Sequence, residues 1–182
     1  MRRFPRARHA RGASGGGGTG STGSGGTGST GSGSTTPTAS RFVIESNNSF
    51  NDTDWVDVEV SSSWSGSTNV SGYFNTGYWV APTDSVSDPA SFWFKSDDTR
   101  CYRVQAWWSA ASDRPEAATF MGWNEDGSEV GRAVVNQQVS GGRWNNLGAW
   151  TFDEGWNRVL LSRWTTPGYY AVADAVRLTP CP

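Results

Sequence analysis

From residue 41 onward, the chain is built from short runs of β-branched and aromatic residues separated by Gly, Asn, Asp and Pro. This pattern is typical of β-strands joined by turns. No window combines an apolar repeat of 3.6 residues with capped ends, as a helix requires. Ten short strands with regular turns indicate an all-β fold, a two-sheet antiparallel β-sandwich of jelly-roll-like type. The predicted strands are Phe42–Glu45, Val56–Ser61, Gly77–Ala81, Ala90–Lys95, Tyr102–Ser109, Ala118–Trp123, Val130–Asn136, Leu147–Phe152, Asn157–Arg163 and Tyr170–Leu178.

Two neighbouring strands suggest an aromatic surface. In Ala90–Lys95 and Tyr102–Ser109 the residues alternate, so Trp93 and Trp107 lie opposite the apolar, core-facing sides of their strands. The short connection between these strands favours a hairpin that places Trp93 opposite Arg103. We therefore expect one solvent-facing surface that carries both tryptophans among Arg, Lys and Gln.

The first 40 residues have a different composition. Residues 1–11 contain five arginines and no acidic residue, and residues 12–40 are almost wholly Gly, Ser and Thr. Such a segment buries too little apolar surface to offset the entropy of ordering its backbone. We predict a disordered basic N-terminus and linker over residues 1–40, followed by one folded domain over residues 41–182.

The predicted folded domain is acidic, with ten basic and seventeen acidic residues in 41–182 and a net charge of −7. Nucleic-acid binding needs a concentrated positive surface, so this balance argues against a nucleic-acid partner. No apolar run is long enough for a transmembrane segment, and no signal peptide is recognisable at the N-terminus.

The cysteine and histidine content limits the possible chemistry. Cys101 and Cys181 are the only cysteines, and His9 is the only histidine. We predict a disulfide between the two cysteines, as is common in exported β-domains. Without a histidine in the folded part, histidine-based triads and Cys/His zinc sites are excluded. We predict no cofactor and no metal. A carboxylate pair for glycoside cleavage stays open, because sequence spacing does not give spatial separation.

Asp174 stands out because it lies among small apolar residues in a predicted strand. We expect a buried carboxylate that accepts backbone N–H bonds. A structural calcium ion is the alternative, with Asn51, Asp52 or Asp54 as further ligands, since calcium binds clustered oxygen atoms.

A series of short motifs runs through the C-terminal half. In combination, it resembles the golvesin/xanthan-lyase-type carbohydrate-binding-like domain, a module at the ends of bacterial extracellular hydrolases, lyases and amidases. The resemblance spans about residues 42–179 and implies a β-sandwich with an accessory role outside the cell, on polysaccharide or a cell-wall glycan such as peptidoglycan. The motifs are Val135-Asn136-Gln137-Gln138, Gly141-Gly142-Arg143-Trp144-Asn145-Asn146-Leu147-Gly148, Trp150 with Phe152, Val159-Leu160-Leu161-Ser162 and Tyr170-Ala171-Val172-Ala173-Asp174-Ala175-Val176-Arg177.

Aromatic side chains are the candidate ligand contacts. The chain has 11 tryptophans and 5 tyrosines, and sugar rings stack on such side chains. We expect Trp108, Trp144, Trp150 and Phe152 to fill the core. The predicted binding residues are those expected to face outward or to lie on turns, namely Trp93, Trp107, Trp123, Trp164 and Tyr169.

The predicted function is a non-catalytic binding module for polysaccharide or peptidoglycan, located outside the cell or at its surface. The alternative is a structural or adhesion domain that binds protein partners or extracellular matrix through the same aromatic surface. Relief of binding by free sugar would favour the first function, and association through Trp93 and Trp107 would favour the second.

Overall fold

The computed structural model describes residues 41–182. This part of the chain contains twelve β-strands and one short 3-10 turn, joined by loops. Nine of the ten predicted strands are present at close to their predicted bounds, and the tenth is present as two strands. The predicted basic N-terminus and linker over residues 1–40 lie outside the described residues. The strands are β1 Phe42–Glu45, β2 Val56–Glu59, β3 Ser65–Ser67, β4 Tyr78–Pro82, β5 Ala90–Ser96, β6 Arg100–Trp107, β7 Ala118–Asn124, β8 Glu129–Val135, β9 Asn145–Phe152, β10 Gly155–Ser162, β11 Tyr170–Ala173 and β12 Ala175–Pro180, with the 3-10 turn Asn48–Phe50 after β1.

Two details of the strand pattern differ from the prediction. The last predicted strand is divided at Asp174 into β11 and β12, which belong to different sheets. Strand β3 was not predicted, because its Ser-Gly-Ser sequence lacks strand-forming residues and it is ordered by pairing with β4. Helical structure is limited to the 3-10 turn, and no helix in the described region is long and apolar enough to cross a membrane.

The strands form two large antiparallel sheets and one small one. Their strand orders are β1-β12-β6-β9, β2-β5-β10-β7-β8 and β11-β4-β3. The two large sheets pack face to face. Their contact is seen in the ring of Phe94 in β5, whose centroid lies 4.9 Å from that of Phe152 in β9 and 5.8 Å from that of Tyr102 in β6. The predicted fold class, a two-sheet antiparallel β-sandwich, is confirmed.

The predicted hairpin between Ala90–Lys95 and Tyr102–Ser109 is wrong. Strand β5 pairs with β2 and β10 in the five-stranded sheet, whereas β6 pairs with β9 and β12 in the four-stranded sheet. Each strand has a mainly apolar side, and stacking the two sides across the sandwich buries both of them. Trp93 and Trp107 therefore lie on opposite outer surfaces of the sandwich and do not form one aromatic face.

The core contains three of the four aromatic residues that were predicted to fill it. Trp108, Trp150 and Phe152 are 2, 6 and 0% exposed. The Trp150 indole reaches from β9 to the opposite sheet, where Gly131 of β8 leaves room for it. A Cβ atom at position 131 would lie 2.3 Å from the Trp150 ring, so any side chain there would displace the indole.

Trp144 is only partly buried and is not part of the core, so its assignment to the core was wrong. It lies just before β9 and stacks against Arg177, whose guanidinium carbon is 4.4 Å from the ring centroid. The indole is thus shielded by a charged side chain on the sheet surface, which the local pattern of apolar residues does not reveal.

The predicted disulfide is present between Cys101 and Cys181. Cys101 lies in β6, and Cys181 follows the end of β12, the strand with which β6 pairs. The Cys181 N–H also donates to the Cys101 carbonyl at 3.0 Å. The covalent bond therefore links β6 to the end of its neighbour β12 in the four-stranded sheet.

Candidate functional site

The outer face of the five-stranded sheet brings together two of the predicted site residues. In β5, β7 and β10, buried residues that face the core alternate with more exposed residues that face away from it. Trp93 in β5 and Trp123 in β7 belong to the outward-facing set. Arg158 in β10 lies between them, because it is the registered partner of both. The row Trp93–Arg158–Trp123 therefore crosses the middle of this face.

Arg158 and Trp93 form a stacked pair within this row. The guanidinium carbon of Arg158 lies 4.9 Å from the Trp93 ring centroid, in the geometry of a cation–π contact. The Trp93 indole Nε1 donates to the Glu59 carboxylate at 3.1 Å. Burial lowers the pKa of Arg158, and the nearby charge of Glu59 opposes this effect. The Trp93 ring is thus held both at its edge and on one face.

The Trp93–Arg158–Trp123 row also contains two unsatisfied donors. The indole Nε1 of Trp123 and the Nε of Arg158 are buried and have no acceptor within the described residues. A buried donor without a partner costs about 1–3 kcal/mol. An oxygen atom that reached either group after a small side-chain movement would recover part of that free energy.

A groove of about 340 Å³ adjoins the row and is called here the sheet-face groove. The floor of the groove is formed by outward-facing residues of β7 and β10, and the pairing of these two strands sets their order. Met121 lies beside Leu160, and Thr119 lies beside Ser162, so the apolar pair is followed by a hydroxyl pair. The remaining lining residues are Ser87, Asp88, Pro89, Trp123, Arg132 and Trp164.

Trp164 stands at the far end of the sheet-face groove, two residues beyond β10. Its backbone N–H donates to Ser162 Oγ at 3.0 Å, and its backbone forms a parallel bridge with Asp84. The side chain is 58% exposed, the largest value for a tryptophan in the described region. Its backbone is therefore held in place while its ring remains open to solvent.

The charged groups at the sheet-face groove are paired within the protein. The Asp88 carboxylate accepts from Arg163 Nε at 3.0 Å and from Ser61 Oγ at 2.9 Å, which holds the 87–89 loop against the end of β10. Arg132 donates to both carboxylate oxygens of Glu129, at 2.8 and 2.7 Å. Aromatic rings and hydroxyl groups are therefore the groups most available to a ligand.

Trp107 lies on the other side of the sandwich and has a different environment. Its indole Nε1 donates to the Gly72 carbonyl at 2.7 Å. The rings of Phe74 and Trp144 each lie 5.5 Å from the Trp107 ring, both edge-on. The structure therefore places Trp107 in an aromatic cluster beneath the loop between β3 and β4, away from the sheet-face groove.

Tyr169 also lies outside the sheet-face groove, immediately before β11. Its backbone carbonyl accepts from the Thr83 N–H at 2.8 Å, and its own N–H donates to Thr83 Oγ1 at 3.1 Å. The described contacts of Tyr169 are thus backbone contacts that join the start of β11 to the end of β4.

Sequence reasoning missed three contributors to this surface: Arg158, Met121 and Leu160. The alternation in β10 places Arg158 and Leu160 on the same side of the strand, and that signal was available in the sequence. Their proximity to Trp93 and Met121 depends on the order β5-β10-β7. That order joins strands distant in the chain, so the local pattern did not predict it.

Asp174 behaves as expected for a buried carboxylate that accepts backbone N–H bonds. The Phe74 N–H lies 3.2 and 3.1 Å from its two oxygens. Burial raises the pKa of Asp174 to about 8, the Phe74 bond opposes this shift, and the charge of Glu45 adds to it.

Asn51, a suggested calcium ligand, instead bonds the Glu45 backbone through its side chain. Across residues 41–182, no group of three or more His, Cys, Asp or Glu side chains is placed to hold a metal ion.

Several solved structures share this fold. The Paenibacillus xanthan lyase matches with a TM-score of 0.58 and 24% identity, over 78% of this chain and 13% of that chain. The Podospora anserina GH26-CBM35 β-(1,4)-mannanase matches with a TM-score of 0.53 and 18% identity, over 71% of this chain and 28% of that chain. A family 35 carbohydrate binding module from Clostridium thermocellum matches with a TM-score of 0.54 and 10% identity, over 79% of this chain and 100% of that chain.

The two enzymes are much longer than this chain, which spans only a small part of each. At these identities, the similarity establishes a common fold.

None of the curated proteins matches the sequence. The family comparison is more direct, because the sequence matches the Golvesin C-terminal domain over residues 49–180, which is most of the chain. That match confirms the resemblance noted from the C-terminal motifs. The chain belongs to the Golvesin C-terminal domain family.

Proposed function

We propose that this chain is a non-catalytic carbohydrate-binding module that acts outside the cell and holds a polysaccharide or peptidoglycan strand in the sheet-face groove. The observation that carries the proposal is the line of side chains along the sheet-face groove, which runs from the partly exposed Trp123 and Met121, past the buried Leu160, to the exposed ring of Trp164. Aromatic rings stack on the C–H faces of sugars, and neighbouring hydroxyl groups bond their oxygens. A surface of this kind suits an extended chain better than a small enclosed ligand.

The row beside the groove supports the same ligand class. Trp93 and Trp123 lie two strands apart, so their backbones are separated by about 10 Å. That span is comparable to a disaccharide. The donors of Arg158 and Trp123 that lack acceptors add polar groups between the two rings.

The comparisons supply independent support. One neighbour in fold is an isolated carbohydrate binding module, and two others belong to a xanthan lyase and a β-(1,4)-mannanase, enzymes of polysaccharides. In the two enzymes, the matched region is a minor part of the chain, as expected for an accessory domain.

The side chains also favour binding over catalysis. Among the residues that the structure describes, Asp88 is the single carboxylate that lines the sheet-face groove, and it is already bonded to Arg163 and Ser61. Glycoside cleavage normally requires two opposed carboxyl groups. The Cys101–Cys181 disulfide supports a location outside the reducing cytosol.

The test is a sedimentation assay of the full chain with insoluble cellulose, xylan, mannan, chitin and peptidoglycan. We expect retention on at least one glycan and relief by the matching soluble oligosaccharide. Trp164→Ala and Trp123→Ala should each weaken retention about 3- to 10-fold, as loss of one aromatic contact predicts. Tyr170→Ala is the matched control, because Tyr170 is 45% exposed but does not line the groove.

Two results would reject the proposal. One is the absence of retention on any of these glycans by folded, oxidised protein. The other is retention that Trp164→Ala and Trp123→Ala leave unchanged. Association with protein that soluble sugar does not relieve would instead support the structural or adhesion function.

A further inference from the structure

A second groove, of about 710 Å³, lies on a different part of the domain. It is formed by the turn after β1, by β3 with the residues that follow it, and by the start of β4 around Trp79. It shares no lining residue with the sheet-face groove. We call it the Trp79 groove.

The walls of the Trp79 groove are held together by hydrogen bonds between segments that are apart in the chain. Asn48 accepts from the Val58 N–H and donates to the Val58 carbonyl, both at 2.9 Å, which ties the turn after β1 to β2. The buried Ser46 hydroxyl donates to the Gly77 carbonyl at 2.7 Å. Gly77 has a φ of +136°, and a Cβ atom there would lie 2.8 Å from the Ser67 carbonyl oxygen. The close approach of these segments therefore requires glycine, and the groove is preformed.

Trp79 offers an aromatic surface inside this groove. Its indole Nε1 donates to the Ser46 carbonyl at 2.6 Å, which fixes the orientation of the ring. Its cross-strand partner is Gly66 in β3. A Cβ atom at Gly66 would lie 3.9 Å from the indole, so a longer side chain there would lie along the ring. Gly66 has no positive φ that would require glycine, and its effect is to leave the side of the partly buried Trp79 ring that faces β3 free of a covering side chain.

Hydrogen-bonding groups surround the partly buried indole. The side-chain amide of Asn69 and the hydroxyls of Thr68 and Thr76 are exposed and have no hydrogen-bond partner within residues 41–182. The Asn47 side-chain oxygen accepts from the Ser49 N–H at 3.0 Å, which leaves its NH₂ group available. These groups supply both donors and acceptors at the rim of the groove.

The chemistry of these walls selects one class of ligand. Within residues 41–182, the lining contains amides, hydroxyls and aromatic rings but no charged side chain. Sugar rings match this combination, because their C–H faces stack on indole and their hydroxyls bond amides and other hydroxyls. A carboxylate, phosphate or sulfate would find no opposite charge here and would lose part of its hydration. We propose that the Trp79 groove is a second, independent binding site for an uncharged saccharide.

The test uses ¹H–¹⁵N spectra of the full chain, with the Trp79 indole signal assigned through Trp79→Phe. The probes are glucose, mannose, galactose, xylose and N-acetylglucosamine, with glucuronate as the charged comparison. We expect at least one neutral sugar to shift the Trp79 signal and to saturate with a millimolar Kd. Glucuronate should produce no saturable shift.

Three variants test whether the sugar that shifts the Trp79 signal binds in the Trp79 groove. Gly66→Val covers the ring without altering the Trp79 hydrogen bond and should weaken binding about tenfold. The double variant Asn69→Ala with Thr76→Ala changes exposed positions, so it retains the fold and should also weaken binding. Trp164→Ala, in the sheet-face groove, should leave the Trp79 titration unchanged.

The proposal is overturned if no neutral sugar shifts the Trp79 signal up to about 50 mM, well above the Kd that weak contacts give. It is also overturned if glucuronate binds equally well, or if folded Gly66→Val binds like the unmodified chain. Retention on insoluble glycans, which we expect to depend on Trp164, is measured separately. Failure of either site therefore leaves the result for the other intact.

Discussion

The outer faces of the two large sheets carry similar residues in different environments. On the five-stranded sheet, Arg158 stacks on Trp93 beside the sheet-face groove, and the Trp164 ring stands in solvent. On the four-stranded sheet, Arg177 stacks on Trp144 in the same way. Both faces therefore contain a cation–π pair next to further tryptophans, and composition alone does not distinguish them.

The difference is the loop over residues 68–77, which reaches the outer face of the four-stranded sheet. Its Gly72 carbonyl accepts from the Trp107 indole, and its Phe74 ring packs against Trp107. Asp174 holds the same loop through the Phe74 N–H. An outward-facing tryptophan is therefore not by itself a binding residue. On the loop-contacted face, Trp107 holds a neighbouring segment, whereas on the open face Trp164 is available to a ligand.

The largest expected effect on stability concerns the disulfide that links β6 to the end of β12 in the four-stranded sheet. Replacing Cys101 and Cys181 together by Ser removes a cross-link between positions 80 residues apart. Chain entropy then predicts a loss of about 4 kcal/mol in the free energy of unfolding, measured by urea denaturation. The urea midpoint of the double variant should not change on addition of dithiothreitol, whereas that of the unmodified chain should fall. A loss below about 1 kcal/mol would contradict the assigned role of the disulfide.

The next effect concerns Asp174, which holds the loop to the four-stranded sheet. Its pKa is raised to about 8 in the folded chain, against about 3.9 for an unperturbed Asp, so the folded state retains the proton more strongly. The contribution of Asp174 to stability should therefore be fully present below about pH 4 and should fall as pH rises towards 8, by at most about 1.4 kcal/mol per pH unit.

Asp174→Asn removes this titration while keeping an acceptor for the Phe74 N–H. We expect the variant to show a flatter pH dependence of the melting temperature and to exceed the unmodified chain near pH 8. Parallel pH dependences of the melting temperature for the two proteins between pH 5 and 8 would show that the pKa of Asp174 is not raised in the folded chain.

A smaller effect is expected from Trp107→Ala, which tests whether this residue supports the loop. The variant loses the bond to Gly72 and the ring contacts with Phe74 and Trp144. We expect a loss of about 1–3 kcal/mol in the free energy of unfolding, with glycan retention by the folded protein unchanged. Trp107→Phe should restore part of the stability. Reduced retention without reduced stability would place Trp107 in a binding surface instead.

The smallest effect on stability is expected at the open end of the sheet-face groove. Trp164 is 58% exposed, so Trp164→Ala should change the free energy of unfolding by no more than about 0.5 kcal/mol. The same variant should reduce glycan retention. A larger loss of stability would indicate that Trp164 has a structural role like that of Trp107, and the contrast between the two faces would fail.

Much of the fold could be predicted because strand signals are local. Alternation with period 2 in β5, β6 and β7 identifies both the strand and its core side, and turn residues mark where each strand ends. The same logic placed Trp108, Trp150 and Phe152 in the core. It could not find β3, whose three small polar residues carry no strand signal of their own.

The candidate site was predicted less completely. Alternation indicated that Trp93 and Trp123 face outward, and the structure places them in one row. It did not indicate that Arg158 lies between them or that Trp107 is in contact with a loop. Those relationships join segments far apart in the chain, and many pairings satisfy the same local pattern.

The sequence by itself determined that residues 41–182 form antiparallel strands with one apolar side, that the two cysteines pair, and which family the chain belongs to. Only the tertiary structure decided which strands are neighbours, and hence which outward-facing rings are covered and which are open. The physical reason is that strand formation follows from local backbone and side-chain preferences. Strand order instead follows from burying all the apolar sides at once, as when β5 and β6 stack across the core rather than pair as a hairpin.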